Sequence, residues 1–199
     1  MLQRLKNRFF PDRVANHQAL RRFVSGEASY LAQRATYEFS RNTLAWHGQH
    51  VLGDAKFNEV FAICRWESFA AIGADMMFLA RAHLAGGQGL DPPLLRVYAD
   101  VLGEYPNPAH RPEGWGDCRA ALLARFGGIP DGRRADIKAM GYRTGAFIHG
   151  KAPVHSKNLE EERAVLGAAV TFGLISFNDR LPQRLDREAL LQDLASHTT

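Results

Sequence analysis

Cysteine is scarce, with two in 199 residues. That is too few for a disulfide framework, and Cys64 lies in a strongly apolar stretch, so a reduced, cytoplasmic protein is expected. Period-two alternation is missing, as is any Asn-Gly turn between β-branched runs, which argues against hairpins and sheets. Ala164–Phe177 is uncharged for only 14 residues, short of the roughly 20 a bilayer span needs. The sequence has no G-x-S-x-G elbow, Walker loop, H-E-x-x-H or C-x-x-C pair. Gly87-Gln88-Gly89 lacks the third glycine and the preceding strand of a dinucleotide fingerprint. What remains is an ordinary globular composition, 46% hydrophobic and 23% charged, enough for one core without metal or disulfide support.

The charge is unevenly spread. Residues 1–22 hold six Arg and Lys against the single Asp12, which exceeds the net +4 of the whole chain. The remainder is close to neutral, so the basic face a nucleic-acid binder needs is not expected on the folded body. Residues 1–10 form a basic amphipathic segment, with residues 11–199 as a single helical domain. Arg4, Lys6 and Arg8 alternate with Leu2, Leu5 and Phe9, a pattern suited to peripheral contact with an anionic membrane. The plainer expectation is a frayed start or a helix packed on its own domain.

From Ala15 to Trp46 the apolar spacing predicts a long helix with the stripe Leu20, Val24, Ala28, Leu31 and Ala35. A second, from Ala55 to Leu84, is apolar nearly all round, as befits a central helix surrounded by others. Gly26 and Gly73 are the expected places for these two to bend or break. Shorter helices are predicted at Pro93–Leu102, Asp117–Phe126, Arg133–Ile148 and Asp186–Leu194. Another opens at Asn158, where Asn158 and Glu161 have capping-box spacing, and ends before Pro182. Gly103–Gly116, with three prolines, is a long irregular piece of the kind that often carries function. The fold class is all-α: an irregular bundle of six to eight helices around two long ones.

Polar residues inside apolar helices are the candidate site. Glu38 and Asn42 continue the first stripe where apolar residues belong, and Glu67 and Asp75 sit in the most apolar helix. Buried carboxylates repel one another unless a cation, a proton or a metal joins them. The first expectation is a structural ion network through Arg34, Arg41 or Arg65, because buried charges are usually paired. A general acid/base or ligand pocket comes second, and a carboxylate-bridged metal third, because the usual Glu-x-x-His pairs are missing. His47 and His50 share one helical face and are weak metal candidates, more simply explained as caps at a helix C-terminus. Arg143, His149, Lys151 and His155 run into a helix N-terminus and are candidates for anion binding. A solvated basic loop is the plainer account, because Glu160, Glu161 and Glu162 already complement the dipole there.

Two functional classes follow. One is a non-enzymatic accessory or adaptor protein that binds a partner protein or a membrane surface. The alternative is an enzyme or small-ligand-binding bundle with a buried carboxylate pocket, for which no particular cofactor is indicated.

Overall fold

The computed structural model describes residues 13–47, 53–84, 89–127, 136–153, 155 and 158–196, and for residues 38 and 41–47 the backbone alone. Among the described residues seven helices account for the fold: α1 (His17–His47), α2 (Ala55–His83), α3 (Asp91–Leu102), α4 (Gly116–Phe126), α5 (Ile137–Lys151), α6 (Leu159–Arg184) and α7 (Arg187–Ser196). The protein is all-α, an irregular bundle in which α1, α2 and also α6 are long, with 31, 29 and 26 residues.

The α1 stripe of Leu20, Val24, Ala28, Leu31 and Ala35 is buried along its whole length. Helix α2 is the central element, packing on α1, α3, α4, α5 and α6. Nearly every residue from Glu67 to Ala80 is buried, which explains why this half has no polar face. Its N-terminal half is different, with Phe61 and Ile63 only half-buried. Asp54 caps α2 by accepting from the Phe57 amide at 2.7 Å.

Neither long helix breaks at its glycine. A lone helical glycine costs about 1 kcal/mol, and packing on either side outweighs it. Gly73 lies where α1, α2 and α3 meet: a methyl there would touch the Tyr98 ring at 3.5 Å and Ala28 at 3.9 Å. Tyr98 is fully buried, and its hydroxyl donates to the Ala70 carbonyl at 2.8 Å. Burial pushes that phenol well above its ordinary pKa, so it remains a donor.

Helices α5 and α6 form the closest pair, through glycine. A Cβ on Gly145 would lie 2.5 Å from the Gly167 backbone nitrogen, and one on Gly167 would lie 2.7 Å from the Tyr142 ring. Only residues without a side chain allow the two backbones so near. Helix α6 opens as its capping spacing predicts: Asn158 accepts from the Glu161 amide at 3.3 Å. The reciprocal half of the box differs, because the Glu161 carboxylate takes the Asn158 side-chain amide at 2.6 Å.

The expected stop before Pro182 is corrected, since α6 runs on to Arg184. Buried Leu181 anchors the last turn, and the Leu185 amide closes it on the Leu181 carbonyl at 2.9 Å. Val14 then pairs with this end, donating to Arg184 O at 2.9 Å and accepting from the Asp186 amide at 3.1 Å. The helix expected from Arg133 opens at Ile137, capped by Asp136 on the Ala139 amide at 2.9 Å. Residues 133–135 lie outside the described set. No described helix is long and apolar enough to cross a membrane.

Candidate functional site

Glu67 and Asp75 are both buried, their side chains 5% and 1% exposed. Their compensating cations come from unexpected places. Glu67 takes two hydrogen bonds from Arg111, at 2.6 Å from Nε and 2.8 Å from Nη2, and lies 2.9 Å from His110 Nε2. Both partners stand in the irregular 103–116 segment. That segment folds over α2 as a strap, turned by Arg111 N–H on Pro108 O and Gly114 N–H on Arg111 O. Arg111 also clasps Asp117 at 2.6 and 2.7 Å and lies over the Trp115 ring, 4.7 Å from its centre. Burial by itself would raise the Glu67 pKa. The Arg111 and His110 hydrogen bonds outweigh it and hold the carboxyl below its ordinary value. The Arg111 hydrogen bonds lower Asp117 in the same way.

Asp75 lies deeper. Arg125 of α4 donates to Oδ1 at 2.7 Å, and the Thr144 hydroxyl of α5 donates to Oδ2 at 2.6 Å. One carboxylate thus joins α2, α4 and α5. Here desolvation wins, and the pKa rises despite Arg125 and Thr144. The expected ion network therefore exists with different members. Arg125 and Arg111 supply the charge for these two acids, whereas Arg34 and Arg65 lie in a groove described below and the Arg41 side chain falls outside the described residues.

The four anion-binding candidates separate. Arg143 is exposed, and its charge reaches Asp75 as a field. The Lys151 ammonium lies over the Phe147 ring at 5.6 Å. His149, at the end of α5, turns inward and meets the Glu162 carboxylate, with Nε2 3.0 Å from Oε2. His155 Nδ1 lies 3.5 Å from that same oxygen. The two imidazole centres are 4.4 Å apart, and Phe39 packs at 5.9 and 6.4 Å from them. A carboxylate in the middle of the cluster makes it a set of donors for a cation, where an anion would meet repulsion.

Between α1 and the exposed half of α2 runs a groove of about 370 Å³ lined by Tyr30, Gln33, Arg34, Tyr37, Phe61 and Arg65. The α1 residues repeat at three and four on the side away from the core stripe. Tyr30 and Tyr37 are 62% and 61% exposed.

The side chains of Glu38, Asn42 and His47, and the whole of His50, lie outside the described residues. So do Arg4, Lys6, Arg8 and Phe9 of the N-terminal segment. Both thiols are raised to about 11: Cys64 by burial, Cys118 by burial and then the neighbouring Asp117. Neither supplies a thiolate near neutral pH.

Arg111, Arg125, Thr144 and Glu162 were not among the sequence candidates. Glu162 left a signal, because His149, His155 and Glu162 flank one short connection between helices, and Arg111 lay in the irregular segment that its length had already singled out. No protein family matches the chain, and no curated protein or solved structure matches it either.

Proposed function

We propose that the protein is a non-enzymatic binding module that holds an acidic, partly apolar segment of a partner protein in the α1–α2 groove. The observation that carries this is the groove's lining. Two exposed tyrosines, a phenylalanine and two arginines face solvent together, and aromatic and Arg side chains are the types that dominate binding energy at protein interfaces. Among the described residues the charged ones lining the groove are Arg34 and Arg65, and a guanidinium offers the planar fork that suits the carboxylates of an acidic partner. The buried carboxylates support the same reading. Glu67 and Asp75 spend their oxygens on Arg111, His110, Arg125 and Thr144, so these two acids serve the fold.

Fluorescence anisotropy tests this with a short labelled peptide of Glu, Asp, Leu and Phe, against its counterpart carrying Lys in place of the acids. The acidic peptide is expected to bind, the basic one not. Arg34→Glu with Arg65→Glu should weaken binding about tenfold or more, equivalent to roughly 1.4 kcal/mol. Equal binding of the two peptides, or an affinity untouched by the charge reversal, contradicts the proposal. So does a reversal that abolishes binding to phosphatidylserine vesicles while peptides never bind, since that result assigns the groove to a membrane.

A further inference from the structure

We propose that His149, His155 and Glu162 bind one divalent transition-metal ion of the zinc class, a site separate from the α1–α2 groove. One donor atom from each of the three residues lies within 4.8 Å of the other two. A tetrahedral zinc with nitrogen and oxygen ligands at about 2.0–2.1 Å places neighbouring donors roughly 3.3 Å apart. The two observed separations, 3.0 Å from His149 Nε2 and 3.5 Å from His155 Nδ1 to Glu162 Oε2, straddle that value. Both separations to the carboxylate oxygen are thus close to those of neighbouring zinc ligands.

A single histidine–glutamate hydrogen bond would account for His149 alone. Such a pair needs only two of these residues, whereas here a third metal-type donor converges on the same point. Metal ligation takes both imidazoles neutral and the carboxylate ionised, a donor set of charge −1 that a divalent cation draws together. The donor set of two nitrogens and one oxygen suits zinc and its neighbours, whereas calcium and magnesium require oxygen throughout.

The surroundings fit. His149 and Glu162 form the buried wall, 3% and 11% exposed, while His155, at 34%, stands toward solvent. An ion held there keeps an open coordination position facing water, as sites with three protein ligands do. Phe39 covers the rings from α1 and restricts their rotation. Arg163 Nε approaches His149 Nδ1 at 3.5 Å. Metal on Nε2 moves the imidazole proton to Nδ1, so this long contact must open. Arg163 is exposed and free to turn outward. The bound ion would fasten the end of α5 to the first turn of α6.

The test uses the full chain, stripped with EDTA, dialysed, and titrated with zinc chloride in competition with a chromophoric chelator. One zinc per chain is expected, with a saturable rise in melting temperature. His155→Ala and Glu162→Gln each remove a ligand without opening the core. Each should lower the affinity by more than the roughly 100-fold that loss of a supporting residue alone brings, and each should abolish the zinc-dependent rise in melting temperature. The metal-free circular dichroism should stay that of the parent. Lack of a saturable one-to-one site overturns the proposal, leaving a hydrogen-bonded histidine cluster. Stoichiometric binding retained in both variants also overturns it, by placing the ion elsewhere.

Discussion

Glu67 and Asp75 share one helix and one burial class, yet their surroundings move them in opposite directions. Glu67 has a folded pKa below its unfolded value, so it contributes stability above the unfolded pKa, and that contribution is lost as pH falls through the folded one. Asp75 has a folded pKa above its unfolded value, so its ionisation opposes folding at neutral pH, and the penalty fades as pH falls. The charge-removing isosteres should therefore diverge. Between about pH 4 and pH 7, the stability lost in Glu67→Gln relative to the parent should grow with pH, while that lost in Asp75→Asn should shrink. Urea unfolding midpoints across that range check both slopes, and slopes of the same sign would refute this assignment of causes. That these two residues are buried charges was legible in the sequence, because each interrupts a helix with no other polar face. Their partners were not. Arg34, Arg41 and Arg65, all on the long helices, were the expected cations, but which distant segment folds over a carboxylate is decided by tertiary packing.

At the scale of the element, periodicity carried most of the information. The α1 stripe, the central position of α2 and the Asn158 cap were all readable because each follows from local spacing. Departures came where packing overrode local preference. Gly26 and Gly73 do not interrupt their helices, and Pro182 does not end α6. By propensity alone the glycines of α5 weaken it. They are instead the contact that lets α5 and α6 approach. Gly145→Ala would gain helix propensity, by up to about 1 kcal/mol, yet it sets a methyl 2.5–2.6 Å from Gly167 backbone atoms. Backbone cannot yield as a side chain does, so the variant should be destabilised by about 1–3 kcal/mol, measured as a lower urea midpoint with an unchanged m-value. A variant more stable than the parent would mean that the two helices are not in such close contact. The irregular 103–116 segment is the other lesson at this scale. Its length marked it as functional, and its role among the described residues is to carry His110 and Arg111 to a buried acid.

Across the whole molecule the polar groups divide by depth. Inside, acids are joined to cations from distant segments, Glu67 to the strap and Asp75 to α4 and α5, while half-buried Glu27 takes both terminal nitrogens of Arg180 nearer the surface. Outside, aromatic and Arg side chains gather between α1 and α2. The fold class was legible from the sequence because helical spacing recurs along the chain and alternation never does. The groove was not, because Tyr30, Tyr37, Phe61 and Arg65 gain meaning only when two helices are set side by side. The assignment of binding to the surface rests on the interior carboxylates serving the fold, and a double-mutant cycle between Glu67 and Arg111, read by urea unfolding, tests that most directly. Arg111→Gln should cost about 3 kcal/mol by leaving a buried carboxylate without its cation. The Glu67→Gln/Arg111→Gln pair should be less destabilised than the sum of the singles, with a coupling of roughly 1–3 kcal/mol. Additive effects, within about 0.3–0.5 kcal/mol, would contradict the account, because Glu67 would then be held in the core for some purpose other than its bond to Arg111.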